Sequence, residues 1–538
     1  MDIIGTLKEL VAIGGISDTA REKKTGDRIF EILSDIPYFK DNGNLLSKYP
    51  CPSDPHGRDV VYGIIKGSGP KTVVLMGHYD VVGVEDYGKI KEFAFDIDAL
   101  PEKLKGVKLD ESATADLLSG EWIFGRGAAD MIAGIAIDLW LMSELSKTSL
   151  PGNVIFLAVP DEESYSVGMR AASSLLMELK STHGFDYELC MDSEPGRRAA
   201  GQHIMSLGTV GKCMPVVMVQ GEKAHISMCF DGLNPLSILA DIFRKTELSL
   251  EFSDIFEGER TMPPTWNYLR DMKYEYDVSL PIRAAGYFSV LSYYSTPDET
   301  MAKLKDICRD SFSGYVSFMS DVYEKFRKGQ KFDTAKGIDY TACVMTFEQL
   351  VAECEKLEGF AQFSGALYQE VKERVNKAEL NLPQATLEMM SRVLDFSGIT
   401  KPLVLLSYAP PYYAPLRSNN LKGKEGKVCE YFEHVRDESR KLFDTDVCSE
   451  EYMGAMTDLS YLAMDRSFDY GSFGANTPLW GDIYQIDFRA VEEINIPGIL
   501  FGPWGKDYHQ ISERVYRHDV ETRIPTLKKG LIEYVFKG

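Results

Sequence analysis

Basic residues are scarce in this sequence: 59 lysines and arginines stand against 81 aspartates and glutamates, a formal charge of −22. That is the wrong sign for neutralising phosphates or docking on anionic lipid, so nucleic-acid and membrane partners are not expected. Long apolar runs are missing too. The longest, Met131 to Met142, is too short to span a bilayer and carries Asp138. Met1 to Leu10 contains Asp2, Lys8 and Glu9 and lacks the apolar stretch and small-residue cleavage site of an export signal. The nine cysteines include no C-x-x-C pair and cannot all pair with one another, a pattern that fits reduced thiols in the cytoplasm. Internal repeats and low-complexity linkers are absent as well.

What is present is an ordinary globular composition, 44% hydrophobic and 26% charged. At roughly 150 residues per domain, 538 residues allow about two to four domains. Over the first 210 residues helical and strand patterns alternate. Thr6 to Leu33 reads as helices broken near Gly14 and Gly15. Strand-like runs follow at Val60 to Lys66 and Lys71 to Met76, then a helix at Asp130 to Leu145. A strand at Val154 to Val159, a helix at Gly168 to Leu179 and a strand at Tyr187 to Met191 complete the alternation. Such alternation predicts helices packed on a largely parallel sheet. After Gly208 the order becomes β-α-β-β-α, with strands expected at Cys213 to Val219, Tyr274 to Leu280 and Ala284 to Tyr294, which suggests an inserted domain over 209–346. Residues 347–394 read as helical, and strands at Pro402 to Ser407 and Gly498 to Phe501 are expected to complete the first layer. The predicted division is therefore 1–208 and 347–538 for one discontinuous domain, with 209–346 inserted.

Four apolar runs each end in a compact group of metal-competent residues: VVLMGHYD (Val73 to Asp80), VIFLAVPDEE (Val154 to Glu163), YELCMDSEP (Tyr187 to Pro195) and PGILFGPWGKDYH (Pro497 to His509). Open α/β sheets bind ligands outside the carboxyl ends of their strands, so these groups should converge on one crevice. A fifth element, GRGAADMIAG (Gly125 to Gly134), places Asp130 in a glycine-rich turn at a helix start. Singly each signal is weak, since an adjacent glutamate pair is usually a solvated face and a lone Asp at a helix start is usually a cap. Their joint order is what carries information.

In that order they resemble the M20 family of metallopeptidases and amidohydrolases. Gly77-His78-Tyr79-Asp80-Val81-Val82 is similar to the family's first motif, Gly125 to Gly134 to its second and Asp161-Glu162-Glu163 to its third. His509, followed by Glu513, is similar to the last. Overall length, the Asp-Ser-Glu-Pro wording and the helical middle most resemble the arginine-utilisation RocB branch. The resemblance implies an α/β fold: a zinc-peptidase-like catalytic domain with a mixed, largely parallel sheet flanked by helices, plus an inserted α+β lid domain.

It also implies two divalent ions, Zn2+ first with Mn2+ or Co2+ as alternatives. Their ligands would be His78, Glu163, Asp192 and His509, with Asp130 bridging. Asp192 and Glu194 share one face of an extended strand. Counting six positions on from the Asp of Asp186-Tyr187 favours Asp192, whereas the Glu-Pro wording favours Glu194; Asp192 is the expected ligand. Asp80 would fix the tautomer of His78, and Glu162 would act as general base towards the attacking water and then as proton donor to the leaving amine. His225, within GEKAHISMCFDGLNP (Gly221 to Pro235), resembles the lid histidine that stabilises the oxyanion, and Asn234 matches an asparagine of the same stretch.

The Asp-x-Arg of many relatives, whose arginine grips a substrate carboxylate, has no counterpart in Tyr287 to Tyr294. Arg283 could replace it or form an ordinary salt bridge. Tyr408 to Tyr413 could line a cleft or be a packed loop. The function expected is cleavage of an amide or peptide bond, with a small arginine-derived peptide or an N-acyl amino acid as substrate and a homodimer formed through the lid. An aminopeptidase or dipeptidase without arginine preference, and a non-catalytic binding protein on the same scaffold, are the alternatives.

Overall fold

The computed structural model describes residues 1–199, 201–273, 275–330, 338–464 and 466–537. The chain divides into two compact units: Met1–Val210, Ala414–Asp465 and Ile486–Gly538 form the first, Gly211–Tyr413 and Arg466–Gln485 the second.

The first unit is built on a nine-stranded mixed sheet. Its centre is four adjacent parallel strands, in the order Asn153–Val159, Lys71–His78, Asp186–Asp192 and Gly498–Leu500. These strands are almost wholly buried, as expected where helices cover both faces of a parallel sheet. Asp59–Ile65 and Leu46–Pro50 extend one side antiparallel, and Gln202–Ser206 and Val447–Glu450 extend the other.

The covering helices start and stop on local signals. Asp2 caps Ile3–Ile13, which ends at a left-handed Gly14, and Thr19 caps Ala20–Asp35. Ala133–Leu145 is buried nearly all round, which explains its continuous apolar sequence. There Gly134 permits close approach, since a Cβ at this position would lie 2.2 Å from the Ser193 carbonyl oxygen. Among the described residues no helix is long and apolar enough to cross a membrane.

The second unit has a six-stranded sheet in which Pro215–Gln220 lies between Arg283–Ser292 and Leu403–Tyr408, with Thr265–Asp271 beyond Arg283–Ser292. Its helices include Pro235–Thr246, capped by Asn234, and the long Pro297–Arg327, which opens with a Thr296/Glu299 capping box.

Three expectations differ from this architecture. Residues 347–413 and 466–485 belong to the second unit and not to the first; Leu403–Tyr408 pairs along its length with Pro215–Gln220, and Asn476 hydrogen-bonds to Tyr408 and Glu348. For the same reason the strand expected at Pro402 to Ser407 does not complete the first sheet. The strand expected at Tyr274 to Leu280 is irregular over 275–280, Tyr274 itself lying outside the described residues; the partner of Arg283–Ser292 comes earlier, at Thr265–Asp271. Fully buried strands carry no alternation to set their sheet membership, so a sequence cannot say which of two sheets such a strand joins.

Candidate metal centre

The four central strands point their carboxyl ends the same way, so the residues that follow them meet at one edge of the first unit. In the parallel ladder His78 stands level with Val159. The chain beyond Val159 turns at Asp161, whose φ of 71° is left-handed, and delivers Glu162 and Glu163. The Asp80 carboxylate fixes that turn, accepting from the Glu162 and Glu163 backbone N–H groups at 3.1 and 3.2 Å and from Ser17 Oγ at 2.7 Å. These bonds and the neighbouring His78 outweigh burial and hold the Asp80 carboxyl below its ordinary range.

Asp130 lies between the two histidines. Its Oδ1 is 3.1 Å from His78 Nε2 and its Oδ2 is 3.4 Å from His509 Nε2. His509 Nε2 is also 2.9 Å from Glu163 Oε1, and His78 Nε2 is 3.4 Å from Glu194 Oε1. Potential ligand atoms therefore cluster as His78, Asp130 and Glu163, and as His78, Glu162 and Glu194. The other ring nitrogen of His78 faces Asp80, 3.0 Å from its carbonyl oxygen and 3.4 Å from Oδ1, which aims Nε2 into the cluster. His509, half-exposed and with a left-handed φ of 62°, closes it from the loop after Gly498–Leu500.

Asp192 does not stand where the sequence count placed it. Met76 pairs with Asp192 in the parallel register, so His78, two residues on, is level with residue 194. Glu194 meets His78, whereas Asp192 is buried and its Oδ2 has no hydrogen-bond partner among the described residues. Strand register decides between two carboxylates that share one face.

The electrostatics are those of an anionic cluster. Burial, then Asp130, pushes Glu194 up to about 7. Burial, against the pull of His78, lifts Glu162 well above the carboxylate range, with Glu194, Asp458 and Glu163 adding to the shift. Glu163 is also raised, by burial and by Asp130. His509 rises to about 10 through its bonds to Asp130 and Glu163. Asp130 moves the other way: burial opposes, but both histidines hold it down. Two imidazoles facing the four half-buried carboxylates of Asp130, Glu162, Glu163 and Glu194 leave a surplus of negative charge that only protons or cations can relieve. The N/O donor set fits divalent cations of the zinc type.

Several supports were not foreseen. Glu513 Oε1 accepts from the backbone N–H groups of Ala129 and Asp130 at 3.2 Å each, and its Oε2 from Arg126 Nη1 at 2.7 Å, so it holds the Asp130 turn. Arg58, 3% exposed, donates from Nη1 to Asp161 at 2.9 Å and to Glu22 at 2.6 Å, and from Nη2 to Asp54 at 2.6 Å, clamping the turn that carries Glu162. Only the spacing of Glu513 from His509 hinted at a role; Ser17 and Arg58 stand in no motif.

In the second unit, His225 is exposed and caps the short segment Ile226–Asp231, its Nδ1 accepting from Ser227 N at 3.2 Å. Asn234 caps its helix through Leu236 N. Arg283 commits its guanidinium to Gln220, Ser391 and Asp395. Tyr408, Tyr412 and Tyr413 are buried, so this stretch is a packed loop.

Comparison with known proteins agrees with the architecture. The model of peptidase family M20/M25/M40 matches residues 92–532. Protein RocB of Bacillus subtilis (strain 168) is 30% identical over 522 residues, covering 94% of this chain and 90% of that protein. The uncharacterized protein YqjN of the same strain is 28% identical over 521 residues, covering 96% and 93%. Among solved structures, the dipeptidase Dug1p of Saccharomyces cerevisiae superimposes with a TM-score of 0.52 over 100% of this chain and 96% of its own, at 12% identity, a likeness of fold.

Proposed function

Since the chain belongs to peptidase family M20/M25/M40 and is a metallohydrolase of amide bonds, we propose that it holds two divalent ions, one on each side of Asp130, and hydrolyses a small arginine-derived peptide or N-acyl amino acid. The observation that carries this reading is Asp130 itself, whose two oxygens face His78 and His509 separately. His78, Asp130 and Glu194 are assigned to one ion, His509, Asp130 and Glu163 to the other, with Zn2+ as the metal. Bound there, the ions would supply Lewis acidity towards a water and the scissile carbonyl.

Glu162 has the proton-transfer role. It belongs to the cluster formed with His78 and Glu194 but is spared from the ligand set, so its carboxylate can take a proton from the attacking water and return it to the leaving amine. Neutralising cations nearby would counter the burial and like charges that raise it, leaving it ionised as a base requires. Asp80 holds His78 and the Glu162 turn together. His225 is assigned to the oxyanion, a role supported by its motif and its exposure. The resemblance to the arginine-utilisation RocB branch supports the arginine-related substrate, the family resemblance supports a homodimer through the lid, and the unpaired cysteines support a place in the cytoplasm.

The test combines metal analysis with a hydrolysis screen over arginine peptides and N-acyl amino acids. Glu162→Gln is expected to keep its metal and lose about 10²- to 10⁴-fold in kcat, whereas Asp130→Ala should lose metal; full turnover by the first variant overturns the mechanism. Equal kcat/KM on peptides lacking arginine would favour the broader dipeptidase reading. Binding without turnover in metal-loaded protein would favour a non-catalytic one.

A further inference from the structure

Ser193 stands between Asp192 and Glu194, and alternation along the strand end sends its side chain to the opposite face from theirs. On that face its hydroxyl donates to Asp138 Oδ2 and accepts from Lys528 Nζ, while Lys528 Nζ also meets Asp138 Oδ1 at 2.5 Å. Lys528 and Asp138 are both 0% exposed and Ser193 is 1% exposed. A lysine beside a serine hydroxyl is the arrangement of a nucleophile, but no substrate reaches a trio buried this deeply, and Ser193 Oγ already has both a donor and an acceptor partner. The three residues come from different elements: Lys528 from the helix Ile524–Lys537, Asp138 from Ala133–Leu145 and Ser193 from the segment after Asp186–Asp192. The Ala133–Leu145 helix also begins beside the Asp130 turn, and Gly134 lies against the Ser193 carbonyl.

We infer that the Lys528–Asp138–Ser193 triad is a positioning device that pins the strand end from behind and so aims Glu194 at His78. This rests on reading Glu194 as a ligand. Burying a complete ion pair brings little net stability compared with apolar side chains of the same size, so the role assigned to this one is to specify geometry and not to add stability. A serine saturated by two charged partners in a dry interior has one rotamer available, and the backbone on either side is fixed with it. Glu194 itself takes no hydrogen bond from this trio, so the trio acts on it only through the backbone, while its carboxylate meets His78.

The test is stepwise Co2+ and Zn2+ binding by calorimetry and Co2+ absorption, on the full chain, for wild type, Ser193→Ala and the double variant Asp138→Leu with Lys528→Met. Ser193→Ala keeps the ion pair, and the double variant replaces it with apolar side chains, so neither leaves an unpaired buried charge. The expected result is about a tenfold or greater weakening of one of the two metal-binding steps, with the other unchanged, in both variants. A merely structural triad would change at most the unfolding temperature and leave both binding steps as in wild type, and that result overturns the inference. Wild type that binds no divalent ion overturns the metal reading, and the inference with it; wild type that binds two ions while the variants match it overturns the inference alone.

Discussion

Single residues of this protein carry consequences well away from the ligand atoms. Arg58 is one cation shared by Asp54, Glu22 and Asp161 in a nearly dry interior. Replacing it by methionine strands those carboxylates. The expected cost is about 3–5 kcal/mol by urea denaturation, and kcat should fall with it because Asp161 starts the Glu162 turn. Unchanged kcat in folded Arg58→Met protein would remove Arg58 from the positioning of that turn.

His203 gives a pH prediction. It is buried against Arg523 Nη2, 2.8 Å from its Nδ1; burial, with Arg523 and Arg198, pushes its pKa well below the ordinary 6.5. Unfolded, it binds a proton below about 6.5; folded, it refuses one. The unfolded state therefore binds more protons, and stability is lost as pH falls through about 6.5 towards the folded value, at up to about 1.4 kcal/mol per pH unit. Comparison of denaturation midpoints at pH 7.5 and 5.5 should show a smaller loss for His203→Gln than for wild type; equal losses would assign the acid sensitivity to other groups.

At the scale of elements, the close approach of the Ala133–Leu145 helix to the end of Asp186–Asp192 depends on Gly134. An added methyl would meet the Ser193 carbonyl oxygen, a backbone atom with nowhere to move. Gly134→Ala should destabilise the protein by about 1–3 kcal/mol in thermal denaturation and reduce metal content at purification. Retention of wild-type metal with the full stability loss would separate packing from the site. The elements themselves were largely legible: the helical break at Gly14 and the four strands ahead of their metal-competent groups. Register was not. Asp192 and Glu194 have the same residue chemistry, parity and neighbourhood, and only the pairing of Met76 with Asp192 brings residue 194 level with His78.

For the whole molecule, the cluster of charge lies within one compact unit, which predicts where metal stabilises. All the proposed ligands belong to the first unit. An ion that binds only the folded form adds about 2.7 kcal/mol at a hundred times its Kd. In calorimetry with and without chelator, metal removal should lower the unfolding temperature of the first unit. An identical thermogram after verified metal loss would mean that the ions do not hold this unit together. The net charge of −22 marks a solvated surface. Only a handful of the 81 acidic residues gather at the site, and their effect there comes from burial rather than number.

By itself the sequence determined the family, the α/β class and the chemical groups of the site, because these are written in short contiguous stretches: a strand, its turn and the residues just past it. The tertiary structure decided which carboxylate faces His78, which unit receives residues 347–413, and how Glu513, Arg58 and Lys528 hold the site from about a hundred to several hundred residues away in the chain. Those outcomes depend on register and on contacts between segments distant in the chain. Both are fixed by the free energy of burying whole faces and pairing buried charges, a property of the assembled fold that no local run of residues encodes.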